Sequence, residues 1–164
     1  MKKFIIGMLV SNKFGVLNRI SGMFSRRGFN IDSLTVGVTE NENFSRMTVT
    51  MTGDDYSRDQ MIKQLSKIQE VKEIKEMDHD TSVIRELIIL KVALTPETRQ
   101  SVMDAVNVFR AKIIDFGAES ICLEITGDTG KLDAFIELMK PYGIIEMCRT
   151  GAVAMERGKE SLKV

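Results

Sequence analysis

The sequence predicts an α+β fold built from two consecutive βαββαβ units. Segments in which apolar and polar residues alternate, such as "RMTVTMT" at residues 46–52, are typical of strands with one covered face. Other segments carry apolar residues three and four positions apart, which is typical of amphipathic helices. The same order of strands and helices occurs twice, and the break between the two copies falls at about residues 78–85.

The first unit opens with a short apolar run bounded by a polar turn, which predicts a buried strand. The helix that follows has one apolar stripe and ends at Arg26-Arg27-Gly28, with cations and a glycine at its stop. A second helix follows Asp54-Asp55. The predicted elements are a strand at 4–10, a helix from 16, strands at 31–38 and 46–52, a helix carrying residues 61, 62, 65 and 68, and a strand at 71–77.

The second unit repeats this order, and its last helix stops before Pro141. Each unit resembles a ferredoxin-like fold, with two helices on one face of an antiparallel sheet. Units this small bury little surface, and one sheet face stays bare, so we expect self-association as a two-fold dimer. The predicted elements are strands at 87–94, 112–116, 121–125 and 144–148, helices around 102–109 and 132–139, and a sheet extension at 152–155.

Composition narrows the classes of partner. The chain carries 23 basic and 23 acidic residues, so no net positive charge attracts nucleic acid or an anionic membrane. The predicted strand at 46–52 has no aromatic residue on which an RNA base could stack. No signal peptide is evident, because the apolar run at 4–10 is short, and we expect a cytoplasmic protein without a membrane span.

The residues of common catalytic and metal sites are scarce. His79 is the only histidine, so neither a catalytic triad nor a two-histidine metal site fits one chain, and we interpret it as a solvated linker residue. Cys122 and Cys148 lack ligand spacing; the sequence leaves a disulfide between them open, and we expect buried or inert thiols instead. The stretch 127–131, "GDTGK", departs from the phosphate-loop pattern, and we interpret it as a strand-to-helix turn capped by Asp128 or Thr129.

The polar turn at residues 11–15 leads into a helix and is the candidate site. A helix that begins near Gly15 presents unpaired N–H groups and a positive dipole end, which suit a carboxylate. Gly15 allows close approach of a ligand to the backbone, and Asn12 and Asn30 offer polar groups to an ammonium. The residues alone leave an alternative open, in which Asn12 caps the helix and Asn30 starts a strand.

Longer segments resemble one known family. "NKFGVLNRISGMFSRRGFNIDSLTVG" with "SRMTVTMTGDD" resembles the N-terminal ACT domain of the small, regulatory subunit of acetolactate synthase, also called acetohydroxyacid synthase. "FRAKIID", "TGKLDAFIELMKPYGIIEMCRTG" and "AMERG" resemble its C-terminal domain. The resemblance covers nearly the whole chain in the same order. It implies an ACT domain at residues 1–78, a linker at 79–85 and a second ferredoxin-like domain at 86–164.

The resemblance implies a chain without a catalytic site, metal or cofactor of its own. Its expected partner is the catalytic large subunit, which uses thiamine diphosphate, Mg²⁺ and FAD. The small subunit is expected to raise that activity and to make it sensitive to valine, the end product of branched-chain amino-acid synthesis. A free-standing amino-acid sensor and a small enzyme with a shared active site are the alternatives from other classes.

In the family the effector binds where two ACT domains of a homodimer meet. Phe14 stands where relatives often carry another residue, so its role is left open. The positions that match the family's effector motif are Asn12, Gly15, Val16 and Leu17 at the helix start, with Asn30 and Ile31 expected from the neighbouring chain.

Overall fold

The computed structural model describes residues 1–163, and its elements follow the predicted order. The α+β class and the repeated βαββαβ pattern are confirmed. The elements are β1 (Lys2–Ser11), α1 (Val16–Arg26), β2 (Ser33–Val38), β3 (Phe44–Gly53), α2 (Asp55–Leu65), β4 (Val71–Glu76), β5 (Ser82–Ala93), α3 (Arg99–Phe109), β6 (Lys112–Phe116), β7 (Ser120–Gly127), α4 (Thr129–Met139), a single 3₁₀ turn (Lys140–Tyr142), β8 (Ile144–Arg149) and β9 (Val153–Glu156).

The chain divides into two compact units, one formed by residues 1–84 with 151–164 and the other by residues 85–150. The first unit has an antiparallel sheet in the order β2-β3-β1-β4. Alternate residues of β1, such as Ile6 and Met8, pack with Ile20 and Phe24 of α1 and Met61 of α2 in one core. This packing explains the predicted alternation, because one face of each central strand is covered by helices.

The opposite, helix-free face of the first sheet is covered by the chain's own C-terminal segment, residues 151–163. Ile5 and Leu9 on this face form a second apolar cluster with Ala152, Ala154 and Leu162 of the segment. β9 pairs with β5, and the Arg157 N–H donates to the Thr81 carbonyl at 2.9 Å. This face is therefore not bare, and the reason for self-association that the sequence suggested does not apply to it.

A single glycine lets the C-terminal segment approach the first sheet. Gly151 has φ +77°, in the left-handed region that favours glycine. A Cβ at this position would lie 2.6 Å from Ser33 Cβ, a distance that no ordinary contact allows. The segment is therefore held against β2 by a close backbone approach that the sequence pattern alone does not indicate.

The second unit repeats the arrangement, with strand order β6-β7-β5-β8 and its own apolar core. Phe109 of α3 and Phe135 of α4 lie 5.2 Å apart between ring centroids. Buried Glu86 at the start of the sheet accepts hydrogen bonds from Arg149 Nε and Thr129 Oγ1, each at 2.5 Å. Arg149 of β8 also contacts Asp133 of α4 at 2.8 Å. The two ion pairs of Arg149 therefore connect β5, β8 and α4.

Several smaller predictions from the sequence can be compared with the structure. α4 begins at Thr129, and the Asp128 carboxylate accepts the Lys131 N–H at 2.9 Å, so the "GDTGK" stretch is a capped turn as predicted. His79 is exposed, as expected. Cys122 and Cys148 are free thiols, but Cys148 is exposed on β8, so the expectation of burial is wrong for it. No helix among residues 1–163 has the length and apolar character needed to cross a membrane.

Candidate functional site

The predicted site lies in the turn between β1 and α1. Residues 12–15 are exposed, and Gly15 takes the N-cap position with φ +81°. A Cβ added to Gly15 would meet no atom of residues 1–163 within 4 Å, so this part of the structure leaves the space above the backbone open. The turn therefore presents main-chain groups to solvent at a point where a ligand can reach them.

The first turn of α1 carries no anion of its own. The first helical hydrogen bond runs from the Arg19 N–H to the Gly15 carbonyl at 3.0 Å, so the N–H groups before Arg19 lie ahead of the helical ladder. Within the described residues 1–163, no side chain caps α1, and its first turn contains no acidic residue. Among residues 1–163, α3 is likewise without a side-chain cap, whereas α2 and α4 are capped by the carboxylates of Asp54 and Asp128. The positive end of the α1 dipole is thus not neutralised by a capping carboxylate of residues 1–163.

Asn12 does not cap the helix, so that alternative is wrong. Its Nδ2 donates to the Glu42 carbonyl at 2.9 Å, and its backbone N–H donates to the Asn43 carbonyl at 2.7 Å. Asn12 therefore ties the turn to the β2–β3 hairpin. Within residues 1–163 its Oδ1 accepts no hydrogen bond and remains an available acceptor.

Three predicted positions differ in what they can offer a ligand. The Val16 side chain is buried in the core, so this residue offers only its N–H, which contacts the Lys13 carbonyl at 3.4 Å. Leu17 is partly exposed, with 45% of its surface accessible. Ile31 is half-buried against the core beyond the end of α1. Phe14 is fully exposed beside Gly15.

Asn30 lies at the other end of α1, close to an acidic residue that the sequence-based prediction missed. Its Nδ2 donates to Asp32 Oδ1 at 3.1 Å, and Asp32 Oδ2 accepts a hydrogen bond from Thr52 Oγ1 at 2.7 Å. Asp32 is exposed, so its carboxylate is a candidate partner for an ammonium. In the sequence, the only sign that Asp32 belongs to the site is its position two residues after Asn30.

One chain does not bring all the predicted residues together. Asn12 and Asn30 flank α1, whose 11 residues span about 16 Å at 1.5 Å per residue. Their contacts with β3 also lie far apart. Asn12 bonds to Asn43, just before β3 begins, and Asp32 beside Asn30 bonds to Thr52, near the end of β3. Asn12, Gly15 and Leu17 therefore form one half-site, and Asn30, Ile31 and Asp32 form another.

No metal centre accompanies these half-sites. Among residues 1–163, no group of three or more His, Cys, Asp or Glu side chains is placed to hold a metal ion. The chemistry that the turn offers is main-chain N–H donation, amide polarity and exposed apolar surface. These groups suit recognition of a small zwitterion.

The fold and the turn define a class, that of ACT-domain proteins. Residues 6–73 match the family model described as "AHAS small subunit-like ACT domain", and residues 85–158 match "Small subunit of acetolactate synthase". The chain is 49% identical over 158 residues to a probable acetolactate synthase small subunit of Archaeoglobus fulgidus, covering 96% of this chain and 99% of the relative.

Two further relatives agree with this match. The acetolactate synthase small subunit of Mycolicibacterium smegmatis is 45% identical over 157 residues, which cover 96% of this chain and 92% of the relative. The crystal structure of the Thermotoga maritima acetolactate synthase small subunit superposes with a TM-score of 0.88 at 39% identity, covering 98% of this chain and all of that one. The chain belongs to the family of acetolactate synthase small subunits.

Proposed function

We propose that this chain is the regulatory subunit of acetolactate synthase, that it activates the catalytic large subunit, and that it makes the enzyme sensitive to valine. The observation that carries the proposal is the uncapped start of α1, with Gly15 in a left-handed conformation and open space above it. Membership of the small-subunit family supplies the partner. In this assembly the chain is a non-catalytic subunit, and thiamine diphosphate, Mg²⁺ and FAD are bound by the large subunit.

In the proposed complex the valine carboxylate lies at the start of α1. The N–H groups of Gly15, Val16 and Leu17 donate to its oxygens, and the helix dipole favours its charge. The Val16 N–H must turn from its long contact with the Lys13 carbonyl, which is a weak bond to give up. Asn12 Oδ1 accepts from the ammonium group.

The rest of the ligand is held by a second copy of the chain. Asn30 and Asp32 of that copy supply acceptors to the ammonium, and Ile31 with Leu17 surrounds the isopropyl group. A second copy is needed because the two half-sites flank an 11-residue helix within one chain. The edge strand β2, with Val36 and Val38 exposed, is available for pairing between two ACT domains. We therefore propose a homodimer formed through residues 1–78.

Valine selectivity rests on both ends of the ligand. Burial of a side chain of this size contributes about 1.5–3 kcal/mol, so the charged contacts must fix orientation. One methylene is discriminated by only about 1–3 kcal/mol, so leucine and isoleucine should bind more weakly but measurably. Because valine bridges two chains, it favours one arrangement of the dimer, and its coupling to the large subunit is reciprocal in binding free energy.

The proposed division of labour assigns the effector to the first domain predicted from the sequence. Residues 1–78 hold the effector in a cytoplasmic protein, residues 86–150 belong to the second compact unit, and residues 151–163 pack on the sheet of the first unit. Either domain can supply the surface that contacts the large subunit.

An acetolactate assay tests the proposal. The purified large subunit is assayed alone, with this chain, and with this chain plus valine, and this chain is also assayed by itself. We expect no activity from this chain alone, stimulation in the mixture, and loss of that stimulation with valine. A mixture whose activity equals that of the large subunit alone contradicts the activating role. Stimulation that valine leaves unchanged contradicts the effector role.

A further inference from the structure

Asp32 lies directly before β2 and presents an oriented carboxylate to solvent. Its backbone N–H donates to the Thr50 carbonyl at 2.9 Å, which holds the main chain against β3. Its Oδ1 accepts from Asn30 Nδ2 at 3.1 Å, and its Oδ2 accepts from Thr52 Oγ1 at 2.7 Å. Each oxygen of a carboxylate has two lone pairs, so both oxygens can accept one more hydrogen bond. The carboxylate is therefore held in place and is still able to bind a further donor.

The charge of Asp32 is not neutralised by the described part of the chain. Both of its side-chain donors are uncharged, one an amide and the other a hydroxyl. No lysine, arginine or histidine nitrogen of residues 1–163 lies within 4.0 Å of its carboxylate oxygens. The cation closest to it in the sequence, Arg27, is exposed. A carboxylate forms its strongest hydrogen bonds with a cationic donor, and Asp32 has this capacity unused.

The strand register places Asp32 at one end of the edge strand β2. β2 pairs with β3 along residues 33–38, and Asp32 directly precedes the first of them. β2 ends at Val38, beside the β2–β3 hairpin to which Asn12 of the α1 turn is bonded. Two copies of β2 that pair antiparallel about a two-fold axis bring unlike ends together. In the proposed homodimer, Asp32 of one chain therefore approaches the α1 turn of the other.

We propose that Asp32 makes the effector site specific for α-amino acids and excludes the α-oxo acids that have the same carbon skeleton. This inference rests on the proposed effector role of the α1 turn. The start of α1 takes the carboxylate of the ligand, so Asp32 of the second copy meets the substituent on the α-carbon. An ammonium group donates to the Asp32 carboxylate, whereas an oxo group places one acceptor oxygen against another.

The apolar part of the site cannot make this distinction. Valine and its α-oxo counterpart carry the same isopropyl group, so contacts with Leu17 and Ile31 are the same for both ligands. A site that hydrogen-bonds an N–H group rejects an analogue without that group far more strongly than an apolar pocket rejects a change of one methylene. The competing interpretation is that Asp32 only joins Asn30 and Thr52 and thereby fixes β2 to β3. A structural role of this kind would change the affinity for both ligands alike.

Calorimetric titration of the full chain with L-valine and with 3-methyl-2-oxobutanoate tests the proposal. The two ligands share the carboxylate and the isopropyl group and differ only at the α-carbon. We expect wild type to bind valine at least about 100-fold more tightly, because the oxo acid loses a charged hydrogen bond and leaves Asp32 facing an acceptor.

Asp32→Asn separates ligand recognition from a structural role, because asparagine keeps the size and one acceptor oxygen but loses the charge. Valine affinity should fall about 10- to 100-fold, while affinity for 3-methyl-2-oxobutanoate stays the same or rises. Asp80→Asn is the matched control, since Asp80 is an exposed carboxylate outside both half-sites that forms no ion pair among residues 1–163. It should leave both affinities within about twofold.

A second variant keeps the test decisive if Asp32→Asn fails to fold. Thr52→Val removes the hydroxyl that orients the carboxylate and keeps a branched side chain on the strand. It should weaken valine about three- to tenfold and leave 3-methyl-2-oxobutanoate unchanged.

The outcomes separate this inference from the proposed function. Equal affinity of wild type for the two ligands overturns the role of Asp32 and leaves the effector site in place. Unchanged valine affinity in Asp32→Asn, or an equal loss for both ligands in Asp32→Asn or Thr52→Val, also overturns that role alone. Absence of heat with valine and wild type up to about 10 mM contradicts the effector role itself, and the inference falls with it.

Discussion

Replacement of Gly15 by aspartate should weaken valine inhibition at least about fivefold while the fold is kept. The Cβ of residue 15 would meet no atom within 4 Å, so the new side chain causes no clash. The left-handed φ of +81° costs a non-glycine residue about 1–2 kcal/mol, and aspartate and asparagine tolerate this region best. Gly15→Asn has almost the same size and backbone cost as Gly15→Asp, and it lacks the charge.

The difference in valine affinity between these two variants measures the repulsion between the aspartate and the valine carboxylate. A carboxylate at residue 15 would lie about 5 Å from the valine carboxylate, where repulsion is about 1 kcal/mol in water and about 3 kcal/mol at an effective dielectric constant of 20. Those energies correspond to a loss of affinity of roughly 5- to 150-fold. We therefore expect Gly15→Asp to need at least about fivefold more valine for half-inhibition than Gly15→Asn.

The assay is valine inhibition of acetolactate formation by the large subunit mixed with each variant. Gly158→Asp controls for the backbone, because Gly158 has φ +72° and a Cβ added there would also meet no atom within 4 Å. Gly158→Asp should keep the valine sensitivity of wild type. Equal valine sensitivity of Gly15→Asp and Gly15→Asn would refute the placement of the carboxylate at the start of α1.

Three further predictions concern stability and are checked by urea unfolding. Glu86→Gln should lower the free energy of unfolding by about 1–3 kcal/mol, because it removes the charge that partners a half-buried arginine. Gly151→Ala should destabilise by about 2 kcal/mol more than Gly28→Ala, since both glycines have positive φ but only Gly151 has a neighbour, Ser33, in the way. A hydrogen bond from Ser57 lowers the pKa of Asp54, so ionised Asp54 stabilises the fold above its unfolded pKa. The stability advantage of wild type over Asp54→Asn should therefore shrink as the pH falls below about 4; equal advantages at pH 7 and pH 3 would contradict this reasoning.

The helices and strands were predictable because apolar residues recur in each with the spacing of a helix or of a strand. The stripe of Val16, Ile20 and Phe24 lies on the buried face of α1, and the alternation of residues 46–52 lies on β3. β5 was predicted to begin at residue 87 but begins at Ser82. Glu86 interrupts the apolar pattern there, and its burial depends on an arginine 63 residues away, which local periodicity does not reveal.

The candidate site could be predicted only in part, because some of its contacts join residues that lie far apart in the sequence. The turn and Gly15 could be identified from local sequence, because a glycine between a strand and a helix has a specific backbone use. Asn12 suggested a helix cap, but its bonds go to the β2–β3 hairpin instead. Asp32 was missed because its role follows from contacts with Asn30 and Thr52, and the second of these lies 20 residues away. The covering of the first sheet by residues 151–163 likewise depends on tertiary contacts.

A crystal structure of this chain grown with valine tests the central claim most directly. We expect one valine at each junction of two ACT domains, with its carboxylate within hydrogen-bond distance of the N–H groups of residues 15–17. Its ammonium should contact Asn12 of one chain and Asn30 or Asp32 of the other. Valine bound within a single chain, or away from the start of α1, would contradict the proposed site.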